Sequence, residues 1–302
     1  MCIRDRGNVV GIPFFPGVHC LYIRKDLYEQ FGYTDPPKTW GELYEIAKDI
    51  TERGKDKGIY GFGAQLKRCV QITCSWYSWL FSFGGYMVDE EGWPTVNTPT
   101  AIDATKFMCK LAWDTAPPEV SEWDYDECAT AFEKGRIVMM THWTNLYPRL
   151  SRSVGRGKFE AYMEPIATTD LCPTALERPC TFWGAWYVSV TSLSAHKDAA
   201  WEFIKYFSSK EMDKILADYQ DPVRKSSYND PELRKKYPYY EIQPKIIETG
   251  KTRPPFPWYE DIDVTLQEYL SKALVKELSV EDALNEAQRI CEGIVKKYKQ
   301  KA

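Results

Sequence analysis

The 302-residue sequence has no excess of positive charge: 39 Lys and Arg stand against 43 Asp and Glu, for a formal charge of −4. Neutralising phosphate needs clustered cations, so no nucleic-acid partner is expected. The short basic run at residues 296–301 reads as a helix end. Histidine is scarce, with His19, His142 and His196 far apart, and no Cys-x-x-Cys occurs among the nine cysteines. That pattern speaks against structural zinc, and neither a metal nor a cofactor is expected. Cys172 and Cys180 flank a proline-containing loop and could pair in an oxidising compartment, Cys69 and Cys74 less readily. The others read as buried thiols. No apolar run approaches the roughly 18 residues of a membrane-spanning helix. Phosphate loop, His-Glu-x-x-His and nucleophile-elbow motifs are all missing. Acids are plentiful, among them Asp124, Asp126 and Glu260, but no spacing marks the carboxylate pair that a glycosidase needs. No catalytic residue is assigned, and no enzyme is expected.

Aromatics, by contrast, are abundant: 11 Trp, 20 Tyr and 13 Phe, 15% of the chain. They suit a core, and equally a wet cleft whose rings stack on a ligand. The organising stretch is residues 7–27. Val9, Val10, Ile12, Phe14 and Phe15 favour a strand. Pro13 and Pro16 cannot donate to a ladder, so the strand should end or change sheet there. Val18, Leu21, Tyr22 and Ile23 make a second apolar run. A chain that leaves one sheet and enters another fits a hinge, and an ordinary bent strand fits it too.

Farther on, Thr39 and Glu42 form a capping box ahead of Leu43, Ile46, Ala47 and Ile50 on one helical face. Residues 59–63 read as a strand, 74–83 as an aromatic helix and 86–97 as a small hairpin. Thr98-Pro99 opens another helix. Residues 125–134 are a short helix and 137–140 a buried strand. Residues 185–190 are a strand, and 197–207 a helix with Ala200, Phe203, Ile204 and Phe207 inward. Ser208 should cap a short helix through Leu216. Residues 237–249 are helical, residues 253–259 are a proline-rigid loop, and two helices, 261–276 and 280–299, close the chain. Helices and strands alternate without a repeat, so the class is α/β.

Five stretches in this order carry a resemblance: residues 7–27 with the helix after Thr39-Trp40; residues 84–99; residues 131–140; Phe182-Trp183-Gly184-Ala185-Trp186 with residues 199–204 and 222–226; and residues 253 onward. Together they resemble the bacterial extracellular solute-binding proteins of ABC importers, in the maltose-binding-protein-like carbohydrate group. The resemblance implies a two-lobed periplasmic-binding-protein fold of type II, with hinge crossings and the ligand between the lobes. Residues 17–185 and 237–302 would be the second lobe, and 1–16 and 186–236 pieces of an incomplete first lobe. The charged start Met1-Cys2-Ile3-Arg4-Asp5-Arg6 fits a chain truncated at its N-terminus, a signal peptide having stood upstream. Exposed apolar surface is expected on the first-lobe pieces.

The resemblance further implies a periplasmic or cell-surface monomer that binds a sugar or oligosaccharide and delivers it to ABC permease subunits. A polyol, glycerol phosphate or peptide is the alternative cargo, and a sugar-cleft hydrolase a more distant reading. Carried over by position, the ligand-binding candidates begin with His142, Trp143 and Asn145. Trp183, Gly184 and Trp186 follow where the chain crosses back, with Gly184 admitting the ligand to the backbone. Trp258 and Tyr259 match a late stacking position, Gly17 and His19 the first crossing, and Arg224 a polar contact.

Overall fold

The computed structural model describes residues 4–5 and 8–300; Cys2, Gly7 and Lys301 lie outside them. Two short strands, β1 (Arg4–Asp5) and β2 (Asn8–Val9), pair antiparallel. The twelve-residue β3 (Ile12–Ile23) follows. After it come α1 (Lys25–Gln30), α2 (Trp40–Gly54), β4 (Tyr60–Gly63), α3 (Val70–Ser82), α4 (Pro99–Thr115) and α5 (Tyr125–Glu133). Next are β5 (Ile137–Trp143), α6 (Tyr147–Leu150), β6 (Glu160–Tyr162) and β7 (Trp183–Val188). The helices α7 (Lys197–Phe207), α8 (Lys210–Leu216), α9 (Lys225–Tyr228), α10 (Pro231–Lys236) and α11 (Gln243–Thr249) lead to α12 (Tyr259–Leu274) and α13 (Val280–Lys299). The class is mixed α/β, as expected. No helix of the described residues is long and apolar enough to cross a membrane.

The expected sheet change occurs inside one unbroken strand. Among the described residues the first half of β3 pairs only with β7, from Ile12 opposite Val188 to Val18 opposite Trp183, with a register shift between Pro13 and Phe15. The second half pairs with β5 on one side, His19 opposite Trp143, and with β6 on the other. Pro13 and Pro16 are tolerated because their half of the strand has a ladder on one side only. Parallel β4 completes the order β4-β5-β3-β6.

Helix starts follow the sequence closely. Thr39 and Glu42 form the reciprocal box, Thr98 accepts from the Ala101 N–H with Pro99 at the first helical position, and Ser279 accepts from the Asp282 N–H. One cap shifts: Ser209, not Ser208, receives the Met212 N–H at 3.2 Å. The 237–249 segment divides into a 3₁₀ turn, Pro238–Glu241, and α11, since Pro244 cannot donate the N–H that would carry one helix through. The expected hairpin at 86–97 reduces to a single bridge between Val88 and Pro94, whose proline ends the ladder.

The core lies between β3, β4 and β5 and the helices α2 to α5, α12 and α13. Trp40, Trp76, Trp79, Tyr22, Tyr77 and Phe132 are all buried in it. The face of α7 behaves otherwise. Ile204 is buried, but Phe203 is 60% exposed, and Leu193, Trp201, Tyr206, Ile215 and Tyr219 are exposed with it. Of the inward face drawn from periodicity, Ile204 is buried, Ala200 and Phe207 are half-buried, with Phe207 against Phe14 at 4.9 Å, and Phe203 alone is exposed; the exposed apolar residues around it fall in the segment where exposed apolar surface was expected. The suggested disulfides do not form. Cys69, Cys74, Cys172 and Cys180 are free thiols. The Cys172 sulfur is engaged by Thr174 Oγ1 at 3.2 Å and by the Phe83 carbonyl, and that of Cys74 by Arg253.

Candidate functional site

A cavity of about 410 Å³ opens where β3 passes from β7 to β5, within the roughly 300–1,000 Å³ of small-molecule sites. Its floor is backbone. Gly17 and Gly184 stand opposite each other in the ladder, and both line the cavity. A Cβ on Gly17 would come within 3.0 Å of the Trp143 ring, so the bare backbone is what lets that indole lie against β3. A Cβ on Gly184 would meet only the edge of Phe182, at 3.9 Å, and would otherwise project into open space.

Three rings shape the walls. Trp143 ends β5, packs edge-on against His19 at 4.2 Å and Phe182 at 5.6 Å, and donates its indole N–H to Gln71 Oε1 at 3.0 Å. Trp186 stacks on Phe15 at 6.0 Å and stays 63% exposed. Tyr125, the first residue of α5, donates its hydroxyl to Asn145 Oδ1 at 3.4 Å. Gln71, Asn145, Tyr125, Arg253 and Glu260 supply the polar rim. Flat apolar rings beside hydroxyl, amide and charged groups match a pyranose or polyol, which has C–H faces and a hydroxylated edge. Among the described residues Glu260 is the one carboxylate lining this cavity, whereas glycoside hydrolysis takes two.

Two larger surface grooves, of about 750 and 700 Å³, have a lysine over an aromatic ring of the wall. In the first, Lys276 covers Trp113 at 4.3 Å and the indole N–H is spent on the Leu274 carbonyl. In the second, Lys110 covers Tyr44 at 4.2 Å.

The sequence-derived candidates thus divide. Gly17, Trp143, Asn145, Gly184 and Trp186 come together on this cavity. His19 lies one layer beneath, fully buried under Trp143. His142 is also fully buried and off the wall; it accepts the Trp143 N–H at Nδ1, so Nε2 carries the proton and donates to the Tyr125 carbonyl. Burial pulls its pKa down to about 4, leaving it neutral. Trp183 turns to the face opposite Gly184, against Gly250, by the two-residue alternation of a strand.

Trp258 is removed from the cavity, because its indole N–H is held by the Gly92 carbonyl at 3.0 Å and its ring stacks on Phe256 at 5.0 Å. Tyr259 donates to Asp263 and lies beneath the Arg253 guanidinium. Arg224 spends its guanidinium on the Ser208 carbonyl at the end of α7, which the last-turn carbonyls of a helix favour. Phe15, Gln71, Tyr125, Phe182, Arg253 and Glu260 were missed as site residues. Arg253 had a signal, since a proline-rigid loop holds a long side chain in place; Gln71 and Tyr125 had none, being ordinary first-turn residues.

Under the floor lies a buried polar set. Ser78 Oγ bridges His19 Nδ1 at 3.2 Å and Thr181 Oγ1 at 3.0 Å, and Thr181 reaches Glu164. Burial keeps His19 well below its usual pKa and pushes Glu164 up to about 7. Their 3.9 Å approach is therefore not an ion pair at neutral pH. Since Glu164 ionises more readily in the unfolded chain, near 4.5, its stabilising effect is complete below that pH and is lost as pH rises to about 7. Denaturant titrations of the wild type should lose roughly 2–3 kcal/mol between about pH 5 and 8 relative to Glu164→Gln. Parallel pH profiles for the two proteins would refute this.

A Deinococcus radiodurans probable ABC transporter-binding protein is 27% identical over 254 residues, 82% of this chain and 59% of that protein. A Pseudomonas aeruginosa mannitol-binding protein is 22% identical over 95% of this chain and 70% of its own length. The chain thus spans well under two thirds of the Deinococcus relative. Among solved structures, T. maritima MalE3 with maltose superposes at a TM-score of 0.88, with 28% identity over 97% of this chain and 74% of that one. An Agrobacterium radiobacter K84 solute-binding protein with ribitol reaches 0.86, also at 28%, over 96% and 73%. Residues 3–214 match the bacterial extracellular solute-binding protein family, and the chain belongs to that family.

Proposed function

We propose that this chain is the solute-binding component of an ABC importer, taking a sugar or polyol in the cavity at the β3–β7 crossing and passing it to membrane permease subunits outside the cytoplasm. The observation that carries the reading is the pair of indoles, Trp143 and Trp186, beside a floor of two glycines. Relatives that bind mannitol, and structures holding maltose and ribitol, agree with it. Residues 17–185 and 237–302 act as one lobe, and 1–16 and 186–236 belong to the other. The β3–β7 ladder is the hinge between them, because its two strands are the ones that cross at the cavity. Closing the hinge over a bound solute would exclude water and strengthen each polar contact.

Thermal unfolding with maltose, maltotriose, mannitol and ribitol tests the reading. At least one solute should raise the melting temperature of the wild type, and Gly184→Val, whose side chain would fill the floor, should lose that rise while folding normally. A flat response to every sugar and polyol would sink it.

A further inference from the structure

We infer that the solute is an acidic sugar, and that Arg253 is the residue that selects its carboxylate; the inference rests on the carbohydrate reading above. Among the described residues, Arg253 is the one cation that lines the cavity. Five N–H groups project from a guanidinium. Among the described residues a single one is used, donated by Nη2 to Cys74 Sγ at 2.9 Å, and Nε is buried with no acceptor. No carboxylate of the described residues lies within 4.0 Å of it. Burial pushes the Cys74 thiol up to about 12, so its partner is neutral and leaves the charge uncompensated. Asp263, the nearby acid, instead accepts from Tyr259 at 2.8 Å and Gln267 at 2.7 Å.

The guanidinium is also held in place before any ligand arrives. It lies over Phe182 at 5.5 Å and over Tyr259 at 5.7 Å, and Pro254 stiffens the chain behind it. A cation kept unpaired, partly desolvated and fixed in orientation is costly to fold around unless an anion completes it. The flat fork of arginine fits a carboxylate in bidentate fashion.

A second feature adds to the field. Val70 and Gln71, the first two residues of α3, line the cavity; that helix has no side-chain cap and no acid in its first turn. The positive end of that helix dipole favours an anion, although Asp124 lies beside its N-cap Cys69 and the Ile72 N–H is already spent on the Cys69 carbonyl. At α12, Glu260 supplies the acid that its own N-terminus calls for, and it sits exposed at the rim. One half-buried cation balances one negative charge, which fits a carboxylate rather than a phosphate dianion. The rings and amides would then hold the sugar body.

Isothermal titration of glucuronate and galacturonate, as one- to three-unit sugars, against their neutral counterparts and glucose 6-phosphate tests this. Uronates should bind about 10- to 100-fold tighter than neutral sugars of equal length. Arg253→Gln should cost uronates at least about tenfold more affinity than it costs neutral sugars, and Arg253→Lys, with the charge but no fork, should fall between. Circular dichroism confirms that each variant folds. Neutral sugars binding as tightly as uronates would overturn the inference and leave the carbohydrate reading standing. Tightest binding of glucose 6-phosphate would overturn the carboxylate assignment. Silence from every sugar would overturn both.

Discussion

Replacing Trp143 with alanine should weaken binding of the cognate solute by roughly 10- to 100-fold. The indole is where β5, the β3 floor and the wall helix α3 meet. It rests on bare Gly17, leans on His19 and Phe182, and is pinned by Gln71. Removing it takes away a stacking face and the ring that supports Phe182, and frees Gln71 to rotate. The same change should cost about 2–3 kcal/mol of stability, because the ring is only partly buried and the space it leaves opens to solvent. Trp143→Phe keeps a flat face but loses the N–H, and should retain most of the affinity. Calorimetry on both variants checks this, and wild-type affinity in Trp143→Ala would remove the indole from the site.

The largest effect on folding should come from Gly61→Ala. A Cβ there would stand 2.0 Å from the carbonyl oxygen of Ala47 and 2.4 Å from its Cα, both backbone atoms of α2. A flexible side chain could swing aside; a helix backbone cannot. The clash can be relieved only by lifting α2 from β4, which would also break the bond from the Gly61 N–H to Thr51 Oγ1 at 2.8 Å. A loss of about 3 kcal/mol or more follows. Equilibrium denaturation measures it, and a change below about 1 kcal/mol would show that α2 can move. The cavity lies elsewhere, so any folded fraction should bind solute normally.

Much of this molecule is legible in its residue order. Capping boxes, proline at the first helical position and apolar periodicity act within one or two turns, so Thr39, Thr98 and Ser279 mark helix starts that the fold uses. Pro13, Pro16 and Gly17 likewise mark the place where one strand changes partners. At α7 periodicity placed Ile204 inward and Ala200 and Phe207 against neighbours, while Phe203 on the same stripe stays exposed, because an apolar stripe says that a face wants cover and not that all of it is covered.

Site residues divide by the same logic. Trp143, Gly184 and Trp186 reach the cavity because they sit on the crossing strands, whose place is set by local sequence. Trp258 and Arg224 were misplaced because a free indole and a bonded one, or a free guanidinium and one spent on a helix end, look alike in a sequence. The order of residues determined by itself the α/β class, the helix starts and the strand that changes sheet, since each depends on steric and hydrogen-bonding preferences of near neighbours. Tertiary structure alone decided that Arg253 and Trp143 line one cavity, with no carboxylate of the described residues within 4.0 Å of the guanidinium, that the first turns of α3 and α5 face the same space, and that His19 and Glu164 lie beneath the floor. Those contacts join residues far apart in the chain, and the distances between them are set by packing, which no local preference encodes.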